Sequence, residues 1–319
     1  CAYRCRGWWL HDARGPDSAS TRMSAVLIVD DEPSMRTALS ETVRRMGYQA
    51  IPTQELPSIN FALHLRRLLT SQNIETVFDV GANRGQYRDF LRKQVGFTGR
   101  ILSFEPISHL HLALSERAKT DPMWQIYPFA LGDKEETLKI NIMAADDFSS
   151  FLSPNNEGTA RFEDSNRVAK KEAVRVRRLD DVYKEVAQEF RLGRAYLKLD
   201  TQGYDFNALR GSAGILKEII ALQTEASVIP LYEGMPSYRD TFDFLGARSF
   251  ELGGTFPVTY DEQLRLIEFD CIFVNTPIIK PLQLEKKSQT YRSSKRTGTF
   301  QVGTTLANSL LAPTTTKGS

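Results

Sequence analysis

Five short apolar runs constrain this chain more than any other feature. They cover residues 76–80, 100–104, 124–129, 195–199 and 218–224. Helix-like stretches at 86–95, 108–118, 180–190 and 204–211 lie between them, and another follows at 237–246. Apolar strands that alternate with helices predict an α/β fold, a mostly parallel sheet covered on both faces. Two final strands, near 249–253 and 266–274, have no helix between them and are expected to form an antiparallel hairpin at the sheet edge. A more β-rich stretch adds strands at 138–143 and 173–178. A lead-in helix carrying Ile59, Leu63, Leu65, Leu68 and Leu69 comes first.

The flanking segments read differently. Residues 1–22 mix Cys, Trp, Arg, Gly and Pro without a period and are expected to be an unstructured leader. Residues 24–50 resemble the first strand and first helix of a response-regulator receiver domain, with Asp30 and Asp31 ending the strand. The later strand, phosphoacceptor and lysine of that family are missing, so 23–56 reads as a receiver-like fragment that cannot bury a core alone. The α/β domain then spans 57–279, and 280–319 reads as a disordered basic tail. From Lys280 onward there are seven basic residues and one acid, Glu285, scattered among Ser, Thr and Gly, the composition of a solvated tail. Nucleic acid is not an expected partner.

Three cysteines, Cys1, Cys5 and Cys271, show neither a disulfide nor a zinc spacing. No apolar run approaches the ~18–20 residues of a membrane span, and no signal peptide is visible. The expectation is a cytoplasmic protein without stable membrane insertion.

Four strands close on an acid: TVFD at Asp79, ILSFE at Glu105, YLKLD at Asp200 and LQTE at Glu225. Each alone could cap the following helix. Together they rim the edge where open α/β sheets bind ligands. The first strand runs into FDVGANRGQ, whose Gly81 and Gly85 suit close backbone approach, yet Asn83 stands where a dinucleotide fingerprint has a glycine. Asp79 would disfavour a pyrophosphate and favour a ligand with an ammonium and a sulfonium. Glu105, ending the next strand, suits ribose hydroxyls. These features fit S-adenosylmethionine.

At this point the chain resembles the FkbM-type S-adenosylmethionine-dependent methyltransferases. The motifs are FDVGANRGQ (78–86), SFEP (103–106), FALGD (129–133), SSF (149–151), RLDDV (178–182), LKLDTQGYD (197–205) and EASVIPLYEG (225–234). The resemblance implies a Rossmann-like class I fold with a seven-stranded sheet ending in the hairpin. It implies methyl transfer to a hydroxyl of a sugar, glycolipid or related natural product, so the partner is a small-molecule or saccharide acceptor. It also assigns Asp79, Gly81, Asn83 and Gly85 to the methionine part of the cofactor, Glu105 with Pro106 to the ribose, and Ala130 and Leu131 to the adenine. Gln202 stands where many members have Glu, and Asp205 where Glu is usual.

The four histidines offer no clear base; His109, just after Glu105, lies nearest the strand ends. Carboxylates are the better candidates for removing a hydroxyl proton. Asp200 is expected to act as base or as ligand to a divalent cation such as Mg²⁺, with Glu225 as partner and Lys198 orienting Asp200. No residue is assigned as a dedicated metal ligand. Lys198 has a plain alternative as a lysine snorkelling from the sheet border. Tyr232 and Glu233 are candidates for the acceptor pocket, and polar residues 144–170 for a lid or a mobile insertion. Two rival functions remain. One is an NAD-dependent oxidoreductase, disfavoured by Asp79 and Asn83. The other is a non-catalytic signalling protein built on the receiver fragment, disfavoured by its missing parts.

Overall fold

The computed structural model describes residues 25–28, 41, 44–45, 49–52, 56–144, 146–155 and 167–281. The leader, most of the receiver-like helix and the tail from 282 lie outside the described residues. Within residues 23–56, strand β1 (Ala25–Ile28) pairs in parallel with β2 (Gln49–Pro52), a strand the sequence reading did not anticipate.

The main sheet has seven strands. In chain order they are β3 (Thr76–Val80), β4 (Arg100–Phe104), β5 (Trp124–Tyr127), β9 (Ala195–Leu199), β10 (Ile219–Ser227), β11 (Phe250–Tyr260) and β12 (Leu266–Asn275). Their spatial order is β11-β12-β10-β9-β3-β4-β5. The first five are mutually parallel, whereas β12 runs antiparallel between β10 and β11. The expected hairpin is therefore present, with β11 at the edge. Its register slips near Gly253 and Pro257, and such irregularity blunts an exposed edge.

Each central strand is buried along its length, so alternate residues serve opposite faces. Phe78, Val80, Leu197 and Leu199 pack with Val182 and Val186 of α4 (Leu179–Glu189) and Leu209 of α5 (Asp205–Arg210). Leu245 of α6 (Tyr238–Gly246) joins them. Val77, Ile101 and Tyr196 pack on the other face with Leu65 and Leu69 of α1 (Leu56–Ser71). Leu91 and Val95 join there from a π-helical continuation (Leu91–Val95) of α2 (Gln86–Phe90), as does Leu114 of α3 (Ser108–Ala118).

The β-rich interruption forms a separate three-stranded sheet of β6 (Ala130–Leu131), β7 (Glu136–Met143) and β8 (Val168–Arg177), ordered β6-β8-β7. The sequence reading ran one strand through 124–129. Here β5 stops at Tyr127, before Pro128, which has no amide hydrogen for a ladder, and the chain changes sheet.

Asn275 closes the core at the end of β12. It is buried, and its Nδ2 donates to the carbonyls of Leu216 (3.1 Å) and Ile219 (3.0 Å). Asn275→Ala would strand both acceptors. It is expected to lower unfolding free energy by about 1–3 kcal/mol in a urea titration; an unchanged midpoint would contradict this anchoring role.

Candidate functional site

The switch in strand order between β3 and β9 opens a crevice at the carboxyl ends of the strands, where α/β sheets commonly hold ligands. A cavity of about 250 Å³ lies there. Its backbone wall is the turn from β3 into α2. Gly81 (φ 77°) and Asn83 (φ 47°) are both left-handed. A Cβ at Gly81 would stand 1.9 Å from the Asp200 carbonyl oxygen, so no side chain fits while the two loops touch. Asn83 N donates to Glu105 Oε2 at 2.7 Å and Ile107 N to Glu105 Oε1 at 2.9 Å. Glu105 thus ties two loops together. Burial pushes its carboxyl up to about 7, against the pull of those two amides.

Beneath the cavity a row of buried polar residues crosses four strands in register: Ser103, Asp79, Lys198 and Gln223. Trp124 Nε1 donates to Ser103 Oγ (2.9 Å), whose hydroxyl donates to Asp79 Oδ2 (2.8 Å). Asp79 Oδ1 accepts no hydrogen bond but lies 3.2 Å from Lys198 Nζ. Lys198 also contacts Asp200 Oδ2 at 3.3 Å and donates to the Gly81 carbonyl at 3.1 Å. Burial alone would lower the lysine; the carboxylates of Asp200 and Asp79 outweigh it and hold the ammonium above its ordinary range, so the group stays charged. With 3% of its side chain exposed, Lys198 is no snorkelling residue.

The cavity brings together Gly81, Asn83, Glu105, Pro106, Ala130, Leu131, Lys198 and Asp200. Three other sequence candidates do not line it. Asp79 lies within β3, not beyond it, and shares the helix-covered face with Val77, so its carboxylate is sealed against Lys198. Gly85 packs away from the cavity, where a Cβ would meet Arg117, Leu114 and Trp124. Glu225 lies inside β10, which continues to Ser227, and fronts a smaller hollow with Asp205, Ser227 and Tyr238. Burial, then Glu268, Asp200 and other nearby carboxylates, push Glu225 well above the usual range.

The residues that close the cavity from the side entered the sequence reading only through the polar stretch 144–170 and the SSF motif (149–151), with none of them singled out. Asp147, Ser149 and Phe151 line it. Asp147 Oδ1 accepts from Gln86 Nε2 at 3.1 Å across the opening. Nothing periodic marks this segment; its polar composition and the SSF motif were its signals. Gln202 also lines the cavity. Tyr232 is buried with its hydroxyl 2.9 Å from Gln202 Oε1, while Tyr232 and Glu233 border a separate surface hollow. His109 sits exposed on α3, outside the cavity lining. Among the described residues, no group of three or more His, Cys, Asp or Glu side chains is arranged to hold a metal ion, and no helix is long and apolar enough to cross a membrane.

Comparison with known proteins adds the family. The model of the methyltransferase FkbM domain matches residues 79–252. No curated protein matches the chain in sequence. Among solved structures, a methyltransferase FkbM from Methylobacillus flagellatus KT is 13% identical over 78% of this chain and 72% of its own, with a TM-score of 0.40. A SAM-dependent methyltransferase from Aquifex aeolicus is 12% identical over 77% of this chain and 100% of its own, TM-score 0.35.

The buried ion pair yields a direct expectation. Lys198→Met leaves Asp79 without its cation and should cost about 3–5 kcal/mol. Adding Asp79→Asn should recover part of that loss in urea titrations. Strictly additive losses in the double variant would contradict the pairing.

Proposed function

We propose, for a chain that belongs to the FkbM methyltransferase family, that its substrate is a hydroxyl of a sugar, glycolipid or related natural product and that its methyl donor is S-adenosylmethionine. One observation carries the cofactor reading. Among the described residues, the cavity is lined by three carboxyl groups, Glu105, Asp147 and Asp200, and by one lysine already balanced by Asp79 and Asp200. A cavity so charged suits a ligand bearing ammonium and sulfonium groups, and it disfavours the pyrophosphate of NAD. This replaces the argument from Asp79 alone and weighs against the oxidoreductase alternative.

The donor set fits the group. Glu105 would accept from ribose hydroxyls, with Pro106 beside it. Ala130 and Leu131, with Phe104 and Ile107, offer an apolar wall for an adenine. Gly81 and Asn83 would hold the amino-acid end. When bound, S-adenosylmethionine supplies a methyl group made electrophilic by its sulfonium.

The protein's part is positioning and proton removal. Holding the acceptor oxygen in line with the methyl can be worth up to ~7–11 kcal/mol. Asp200, whose side chain is 42% exposed, is the carboxylate offered to the acceptor's proton. Lys198, 3.3 Å from its Oδ2, holds it in place. Glu225, set behind Gln202, acts indirectly, as an acid whose charge state Asp200 feels. Asp79 supports Lys198 and touches no ligand.

Calorimetry tests this reading. S-adenosylmethionine is expected to bind and NAD not to bind. Glu105→Gln should weaken the donor by about tenfold or more, since it removes a charged acceptor. Incubation with methyl-tritiated S-adenosylmethionine and an extract should label hydroxylated small molecules. Tight binding of NAD without binding of S-adenosylmethionine would overturn the proposal.

A further inference from the structure

We infer that Gln202 is a positioning residue: its carboxamide, tethered by the Tyr232 hydroxyl, holds the Asp200 carboxylate in place at the cavity wall. The catalytic consequence rests on the methyl-transfer reading above; the contacts do not.

The backbone gives the first reason. Gln202 has φ 54°, a left-handed conformation uncommon outside glycine, and Gly203 (φ 85°) follows it. A side chain held there persists only when its surroundings over-determine it, and such positions cluster at functional sites. Two tethers do so. Ser150 Oγ donates to the Gln202 carbonyl at 2.6 Å. Tyr232, 1% exposed and packed with Met143, Leu231 and Ile267, sets its hydroxyl 2.9 Å from Gln202 Oε1 and 3.0 Å from the Phe148 carbonyl, so its one proton is shared between the two acceptors.

The far end of the amide is then fixed. Gln202 Nε2 donates to Asp200 Oδ1 at 3.1 Å and reaches Glu225 Oε2 at 3.5 Å. Asp200 is therefore gripped from both sides, by Lys198 on Oδ2 and by Gln202 on Oδ1. An amide meets these demands without adding charge: it offers a donor to the two acids and an acceptor to the tyrosine. An apolar side chain would offer no donor. The amide also stands between Asp200, which lines the cavity, and Glu225, which does not.

A donor aimed at a carboxylate favours its ionised form, and that is measurable without any ligand. The full-length protein, labelled with ¹³C at aspartate carboxyls, would be titrated by NMR. The Asp200 signal would be identified by its absence in Asp200→Asn. Gln202→Met, close in size but without a donor, is expected to move the Asp200 titration to higher pH than in the unaltered protein. Tyr232→Phe, which keeps the ring, should move it the same way by less. Titrations unmoved in both variants would overturn the inference.

A second readout separates this from the cofactor reading. Gln202→Met should lower the rate of tritium transfer to the labelled fraction about tenfold while the affinity for S-adenosylmethionine changes less than threefold. Equal losses in rate and affinity would contradict a role exercised through Asp200. A wild-type protein that binds no S-adenosylmethionine would end the methyl-transfer reading, and the NMR titration would still decide the placement of Asp200.

Discussion

The buried ammonium of Lys198 is the interaction on which the rest depends. A charge taken out of water is costly unless its partners are close and well placed. Here two carboxylates lie within 3.3 Å, and the carbonyl of Gly81 lies at 3.1 Å. The lysine thereby joins β3 to β9 and pins the turn after one strand to the loop after the other. Gly81 completes the junction, because any Cβ would strike the Asp200 backbone. The crevice of the sheet is thus held in shape by an ion cluster before any ligand enters.

Electrostatics then sets what the crevice can hold. The charge of Lys198 is shared by Asp79 and Asp200, and among the described residues no ion pair reaches Glu105 or Asp147 on the wall; Glu105 is met by two backbone amides and Asp147 by Gln86. Farther along the sheet, Asp205, Glu225, Glu268 and Asp270 crowd together, and burial raises the carboxyl of each above its usual range. Like charges this close cannot all ionise cheaply. Gln202 lies between the open acid and this reservoir, and its neutral amide links the two without adding charge.

Most of the fold was legible in the sequence because its signals are local. Apolar strands and amphipathic helices announced the alternating core, and the missing helix after α6 announced the hairpin. The separate three-stranded sheet was not legible: its strands pair with each other across a non-local register, and only Pro128 hinted at the break. At the site, Glu105, Gly81, Asn83, Pro106, Ala130, Leu131, Lys198 and Asp200 do meet around one cavity. Asp79 and Glu225 were misplaced for one reason. Both were taken as strand ends, whereas both lie inside strands, and the two-residue period puts Asp79 on the face of Val77, where it is buried against Lys198 and Ser103. Gly85 serves helix packing. Asp147 was marked only by the polar composition of its stretch and Gln202 only by the LKLDTQGYD motif; the contacts that bring both to the cavity come from loops meeting in space.

The most direct test of the central claim is a crystal structure of the protein grown with S-adenosylhomocysteine. The account predicts the ribose hydroxyls within hydrogen-bond reach of Glu105, the amino-acid end against Gly81 and Asn83, and Lys198 still between Asp79 and Asp200 below them. Density for the ligand in another groove, or a cavity in which Lys198 has left both carboxylates, would contradict it.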